Sequence, residues 1–283
     1  MKIGINMFLW TDFVDEVHFK YFEELKKAGY DGVEIPLFCG DEKHYANIGR
    51  VLNDLGLECT ATSACLPDRD LISADVNIRD AGISHLMWAV DMLHALGGQM
   101  LGGPLHSSPG VFTGEGPTDR EKNYAADGLR TIGEYAAKCS ISLGVEYLNR
   151  FESYLVNSVA QTKELVERVG LKNVGIHYDT HHAHYEEYSV KEAIHSGQGF
   201  INHIQLSESN RGIPGKGQVN WADTFAAIQE IQYDGWLTVE AFNREHPMLR
   251  KNLFLWRELY ASNSDVFQAG VSLVEKYMPV VSV

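Results

Sequence analysis

Short apolar segments alternate with longer amphipathic segments along the whole chain, and this alternation constrains its fold more than any other feature. The apolar segments have the length of strands that are buried on both faces, and the amphipathic ones repeat with the period of surface helices. Several helical patterns end at a glycine, as Val159–Val169 does at Gly170. Strands that alternate with helices predict βα units around a parallel sheet.

Eight strand–helix pairs can be counted in the 283 residues. Eight such units close into a barrel more naturally than into an open sheet, and barrels of about 250 residues fold as one domain. The predicted fold class is therefore α/β, a single (β/α)8 TIM barrel in which residues 1–283 form one domain. The predicted strands are 3–8, 32–37, 57–63, 99–103, 143–148, 174–179, 202–206 and 237–242.

The charge of the chain limits the partners that we expect for it. A formal net charge of -14 opposes binding to nucleic acid or to an anionic membrane, but it leaves a small neutral substrate possible. No Gly-x-Gly-x-x-Gly or Lys-Ser/Thr phosphate loop is present, which argues against a nucleotide cofactor.

The N-terminal apolar stretch is soon interrupted by Asp12 and Asp15, and it is too short for a signal peptide or a membrane helix. A cytoplasmic location is therefore expected. The four cysteines form no Cys-x-x-Cys pair and are too few to staple a chain of this length, so we expect free thiols.

Polar residues at the ends of the predicted strands are the candidates for function, because the carboxyl ends of barrel strands form the active face. Glu146 and Glu240 each end an apolar run, Asp179 ends strand six, and strand seven carries His203 and Gln205. A carboxylate in such a run needs a cation or another partner, since burying it alone is costly. A structural ion pair is the alternative interpretation.

Three carboxylates and an amide or imidazole from four consecutive strands form a donor set rich in oxygen. Such a set suits Mn²⁺, Mg²⁺ or Co²⁺ better than a zinc site built on thiolates. A divalent ion there would polarise a carbonyl and stabilise an enediolate, while two of the carboxylates do the acid and base work.

Four segments carry a specific resemblance to a known family. They are Glu-Tyr-Leu-Asn-Arg-Phe-Glu from residue 146, Asp-Thr-His-His from 179, Ser-Glu-Ser-Asn-Arg-Gly from 207 and Val-Glu-Ala-Phe from 239. Together they resemble the D-tagatose/D-allulose 3-epimerase family of the xylose-isomerase-like barrels, and the similarity runs from the first strand to the last helix.

The resemblance implies metal ligands at Glu146, Asp179, the strand-seven position and Glu240. It also implies that Glu146 and Glu240 are the acid/base pair on opposite faces of the reacting carbon. Mn²⁺ is the expected metal, with Mg²⁺ or Co²⁺ as alternatives.

The same resemblance implies that Glu152, His182 and Arg211 bind the hydroxyls and the carbonyl end of a sugar. Members of this family are commonly dimers or tetramers, so a homodimer or homotetramer is expected. Phe254 and Trp256 fit the core or a subunit interface.

Strand seven departs from the family pattern. Counting back from Arg211 places Gln205 where the 3-epimerases usually have a metal-binding histidine. Gln205 and His203 are two residues apart and face the same way, so either could be the ligand. We favour Gln205, because it lies nearer the active face and because hydroxypyruvate-isomerase-like members of the superfamily resemble this chain in having glutamine there.

Other residues near the strand ends each allow both a functional and a structural role. His106 follows strand four and is expected to face the substrate, with a structural role as the alternative. Glu34 on strand two is similarly placed, and a contact with the substrate is one interpretation of it. Phe8, Trp10 and Phe112 could form an apolar wall against a sugar, although packing is the commoner role of such aromatic residues.

The sequence thus predicts a metal-dependent enzyme that inverts C3 of a free ketose through a cis-enediolate. A hydroxypyruvate-type or aldose–ketose isomerase is the first alternative, favoured by Gln205 and disfavoured by the predicted sugar-binding residues. An inosose-dehydratase-like lyase on the same barrel is the second, and a barrel that binds sugar without catalysis is the third. A DNA-repair endonuclease is disfavoured, because the chain has no evident basic groove.

Overall fold

Eight parallel strands form a closed barrel in chain order, and β8 pairs back to β1. A computed structural model describes residues 1–245 and 247–278, without the side chain of Met248. The predicted (β/α)8 barrel is confirmed. Residues 246 and 279–283, which the sequence assigned to the same domain, lie outside the described residues.

The strands lie within two residues of their predicted bounds at every end. Three predicted strands ran two residues too far, because apolar residues continue into the loops after β1, β5 and β8. The strands are β1 Lys2–Asn6, β2 Gly32–Pro36, β3 Glu58–Thr62, β4 Met100–Gly103, β5 Ser142–Glu146, β6 Val174–Asp179, β7 Ile201–Ser207 and β8 Trp236–Glu240.

Helices follow the strands and cover the outside of the barrel. Helix α5 begins after Ser158, whose side chain accepts a hydrogen bond from the Gln161 backbone, and it ends at Gly170, where φ is 73°. The helices are α1 Phe19–Ala28, α2 Glu42–Asp54, α3 Val76–Leu96, α4 Asp119–Ala137, α5 Val159–Val169, α6 Thr180–Glu186, α7 Val190–Ser196, α8 Trp221–Glu230, α9 Pro247–Asn252 and α10 Asn263–Tyr277. Within the described ranges, none of them is long and apolar enough to cross a bilayer.

The two faces of the barrel strands differ in chemistry. On β7, Ile204 and Leu206 are buried in the apolar layer beneath the helices, whereas the alternate residues His203 and Gln205 contact Glu34 of β2 across the barrel interior. A side chain at Gly102 would place its Cβ 2.8 Å from Nδ1 of His177, so only glycine leaves room for that ring. The interior is therefore polar just below the active face.

Candidate active site

Three buried carboxylates lie at the active face because each is the last residue of its strand. Glu146 ends β5, Asp179 ends β6 and Glu240 ends β8. Their exposed fractions are 6%, 0% and 5%. The register of β6 and β7 pairs Asp179 with Gln205, so the strand-seven residue predicted as a ligand is its neighbour in the sheet.

Arg211 joins two of these carboxylates from the loop after β7. Its Nη1 donates to Asp179 Oδ2 at 2.8 Å, to Glu240 Oε2 at 2.6 Å and to the Ser207 hydroxyl at 3.1 Å. The guanidinium lies 5.1 Å from the centre of the Phe242 ring. Arg211 has a left-handed backbone (φ 61°), which costs about 1 kcal/mol or more for a residue with a side chain and is typical of functional sites.

Burial, and after it the neighbouring charges, determine the pKa values of these three carboxyls. Burial raises the pKa of Glu146 and of Glu240 well above its usual range, and neighbouring carboxylates raise it further while Arg211 opposes them. Burial also raises the pKa of Asp179, partly offset by Arg211. A second positive charge near this group would favour the ionised forms.

The residues predicted to bind the sugar lie beside these carboxylates. His182 Nε2 is 3.4 Å from Glu146 Oε1 and 3.1 Å from Arg211 Nη2. The backbone N–H of Asn149 donates to His182 Nδ1 at 3.0 Å, and the Asn149 side chain donates to Glu152 Oε1 at 2.8 Å. Burial lowers the pKa of His182 well below its usual range, so the ring is neutral near pH 7.

The two ends of the Gln205 amide have different neighbours. Its Nε2 donates to Glu34 Oε1 at 2.5 Å. Its buried Oε1 makes no hydrogen bond of good geometry among the described residues, but an interaction with the His177 ring opposes the lowering of the His177 pKa by burial. His203 lies deeper, with Nε2 2.7 Å from Glu34 Oε2. Burial raises the pKa of Glu34, but His203, His177 and Gln205 outweigh this and lower it to about 2.

These donors fit a divalent cation of the hard, oxygen-preferring type. Glu146, Asp179 and His182 each offer a ligand atom, and these atoms lie within 4.8 Å of one another. The buried amide oxygen of Gln205 adds a neutral oxygen donor. Carboxylates with an amide or an imidazole match the preferences of Mg²⁺, Mn²⁺ and similar ions.

Comparison with known proteins shows which family the chain belongs to. A family model described as Xylose isomerase-like TIM barrel matches residues 22–266. The chain belongs to this family. An L-ribulose 3-epimerase from Mesorhizobium japonicum is 30% identical over 265 residues, which are 93% of this chain and 89% of that relative. The resemblance to the 3-epimerases within the xylose isomerase-like family is thereby confirmed.

Solved structures of 3-epimerases from the xylose isomerase-like family superpose over nearly the whole chain. One, described as L-ribulose 3-epimerase, has a TM-score of 0.93 and 28% identity, and covers 98% of this chain and 94% of its own. Another, a D-allulose 3-epimerase from Methylomonas sp. in complex with D-allulose, has a TM-score of 0.92 and 26% identity, with coverages of 98% and 97%. The chain is accordingly an enzyme that resembles these 3-epimerases over nearly its whole length.

Both ring nitrogens of His106 have hydrogen-bond partners. Its Nε2 lies 2.9 Å from the backbone oxygen of Glu146, and its Nδ1 lies 2.8 Å from the Ser107 hydroxyl. Burial lowers the pKa of His106 to about 4. The predicted contact with the substrate stays a prediction, and these hydrogen bonds favour the structural alternative, in which His106 holds the end of β5.

The aromatic residues expected to form an apolar wall are dispersed. Phe8 packs 5.7 Å from Phe242, next to Arg211, whereas Trp10 stacks on Tyr21 at 5.0 Å. The Phe112 side chain is 47% exposed. Of these three side chains, Phe8 is the one that packs against Phe242, the ring beneath the Arg211 guanidinium.

Glu208 organises the loop that carries Arg211, although no role was predicted for it. Its carboxylate accepts hydrogen bonds from three backbone N–H groups and one indole N–H; the donors are Ser209, Gly215, Val219 and Trp221. Burial raises the pKa of Glu208, but these hydrogen bonds outweigh it, so the pKa is lowered. The one available signal was an acidic residue directly before a glycine-rich loop.

Proposed function

We propose that this protein is a metal-dependent epimerase that inverts C3 of a free ketose. The observation that carries the proposal is a pair of buried carboxylates, Glu146 at the end of β5 and Glu240 at the end of β8. Between these two strands lie β6, which ends in Asp179, and β7. Relatives and solved neighbours that are named as ketose 3-epimerases support it.

Inversion at a carbon needs a base on one face and an acid on the other. Glu146 takes the proton from C3, the electron pair moves toward the C2 carbonyl to give a cis-enediolate across O2 and O3, and Glu240 returns a proton to the opposite face. In the reverse direction the two carboxyls exchange roles. Burial and the neighbouring carboxylates raise the pKa of both groups, which is the direction that favours proton donation by a carboxyl.

The remaining residues bind and orient the substrate in this proposal. A divalent ion, expected to be Mn²⁺ and held by Glu146, Asp179, Gln205 and Glu240, would polarise the carbonyl and stabilise negative charge on the sugar oxygens. Glu152, His182 and Arg211 lie within reach of one another and would hydrogen bond the hydroxyls and the carbonyl end of the sugar.

The position of the label after turnover in D₂O tests the reaction. D-Allulose, D-tagatose and L-ribulose would each be incubated with the enzyme, and the products analysed by NMR. Deuterium at C3 of an epimerised ketose is the expected result. Deuterium confined to C1 or C2, together with an aldose product, would contradict C3 epimerisation.

That contrary result would instead support an aldose–ketose or hydroxypyruvate-type isomerase. The specific observation in favour of this second candidate is Gln205, which occupies the strand-seven position beside Asp179. The same NMR measurement therefore decides between the two reactions.

Removal of metal tests the cofactor. Protein treated with EDTA, and shown by elemental analysis to be metal-free, should lose its activity and regain it on addition of Mn²⁺. Turnover at an undiminished rate without metal would refute the metal-dependent mechanism.

A further inference from the structure

Glu34 is a fully buried carboxylate in the barrel interior, and its bonds come from three other strands. Oε1 accepts from the Asn6 side chain at 2.8 Å and from Gln205 Nε2 at 2.5 Å. Oε2 accepts from the Thr60 hydroxyl at 3.1 Å and lies 2.7 Å from His203 Nε2. A carboxylate offers about four lone-pair sites. Three of them accept these hydrogen bonds, and the His203 ring lies against the remaining one. Glu34 therefore has no capacity left for a sugar hydroxyl, so a substrate contact does not explain it.

The contact with Gln205 has a chemical consequence. The two ends of a glutamine amide have nearly the same size and shape, so packing alone does not choose between them. An ionised carboxylate only accepts hydrogen bonds. Glu34 therefore selects the orientation in which Gln205 turns its NH₂ group inward. The buried amide oxygen then has the His177 ring as a neighbour but makes no hydrogen bond of good geometry among the described residues.

We propose that Glu34 is a positioning residue that fixes the Gln205 amide so that its oxygen, and not its nitrogen, is offered to the catalytic cation. The inference rests on the proposed metal-dependent function and on Gln205 as its strand-seven ligand. An amide nitrogen cannot coordinate a hard cation, so a reversed amide would remove one ligand from the site. Partners that orient a ligand in this way commonly contribute about 10-fold to 100-fold to metal affinity.

The test is the affinity of the metal-free protein for Mn²⁺, measured by titration calorimetry, with the EPR spectrum of bound Mn²⁺ as a second readout. Glu34→Gln has almost the same shape but can also donate, so Gln205 is no longer held in one orientation. We expect the Mn²⁺ dissociation constant to rise by about 10-fold or more. The EPR spectrum should change because one oxygen ligand is lost from part of the population.

Thr60→Val is the matched control. It removes a hydrogen bond from the same carboxylate but leaves the contact between Glu34 and Gln205 in place. Both variants should melt at a lower temperature than the wild type, since each disturbs a buried polar network. Only Glu34→Gln should weaken Mn²⁺ binding. An equal loss of affinity in both variants would show that Glu34 acts through general stability, and the inference would be wrong.

A second background separates positioning of Gln205 from the loss of a nearby negative charge. In Gln205→Ala the strand-seven ligand is absent, so there is no amide for Glu34 to orient. Adding Glu34→Gln to that variant should leave the Mn²⁺ dissociation constant within about twofold, whereas a purely electrostatic effect of Glu34 would persist. A loss as large as in the wild-type background would overturn the proposal.

If Glu34→Gln is insoluble, Glu34→Asp keeps the acceptor-only chemistry and should retain Mn²⁺ affinity much better than Gln205→Ala does. Equal affinities for those two variants would overturn the inference. Its failure is distinguishable from that of the proposed function. The proposed function fails if the wild type binds no Mn²⁺ or epimerises without metal. Only this inference fails if Gln205→Ala weakens Mn²⁺ binding and Glu34→Gln does not.

Discussion

Arg211 Nη1 lies 2.6 Å from Glu240 Oε2, and both groups are almost completely buried. The same nitrogen donates to Asp179, so one guanidinium serves two carboxylates from neighbouring parts of the barrel mouth. Burial and neighbouring acids otherwise favour the protonated forms of these groups. Arg211 thus stabilises the charges that would bind the metal, in addition to its proposed role at the sugar.

We predict that Arg211→Ala destabilises the metal-free protein by about 3 to 5 kcal/mol, the cost of leaving a buried charge unpaired. Saturating Mn²⁺ should restore most of this stability, because the ion replaces the missing positive charge. Urea unfolding with and without Mn²⁺ measures both effects. Arg50→Ala is the control, since its pair with Asp54 is exposed and worth about 1 kcal/mol at most. Equal losses in the two variants would contradict the role given to Arg211.

Replacing Glu146 or Glu240 by Gln should lower kcat for epimerisation by about 100-fold to 10,000-fold, the usual contribution of a general acid or base. Each variant keeps one functional carboxyl. Deuterium from D₂O should therefore still enter C3 of one epimer without net epimerisation, and the epimer should differ between the two variants. Glu58→Gln, at the opposite end of the barrel, should retain full activity. Near-normal turnover in both active-site variants with metal bound would require other catalytic groups.

Glu208→Gln should raise KM for the sugar and lower the free energy of unfolding by about 1 to 3 kcal/mol, because its new NH₂ group faces backbone N–H donors. The loop from residue 209 to 219 would then hold Arg211 less firmly. Steady-state kinetics and urea unfolding measure the two effects. Glu275→Gln, on the exposed face of α10, should change stability by less than about 0.5 kcal/mol. An unchanged KM in Glu208→Gln would show that the loop does not depend on this carboxylate.

His85 should make the protein less stable in mild acid. Burial, and then the charge of Arg69, lower the pKa of His85 from 6.5 to about 4. The unfolded chain therefore binds a proton at His85 more readily than the folded protein does. The contribution of the neutral His85 ring to stability is complete above about pH 6.5 and is lost as the pH falls toward 4. Between these pH values the free energy of unfolding should fall less steeply for His85→Gln than for the wild type. The difference in slope should be on the order of 1 kcal/mol per pH unit. His94→Gln, on the exposed side of the same helix, should follow the wild type.

The sequence by itself determined the strands, most helix ends and the acidic residues at the active face. These features are local, because the period of apolar residues, a glycine such as Gly170 and a carboxylate at the end of an apolar run each depend on a few neighbouring positions. Barrel geometry then brings Glu146, Asp179 and Glu240 to one face without further information.

Only the tertiary structure decided what each polar group contacts. Gln205 and Glu34 are 171 positions apart, and their hydrogen bond forms because closure of the barrel places β2 and β7 across one interior. In the same way, the ring of His106 is hydrogen bonded to the backbone of Glu146 on the neighbouring strand. A sequence pattern shows that a buried polar group needs a partner, but the partner is chosen by distances that exist only after the chain has folded.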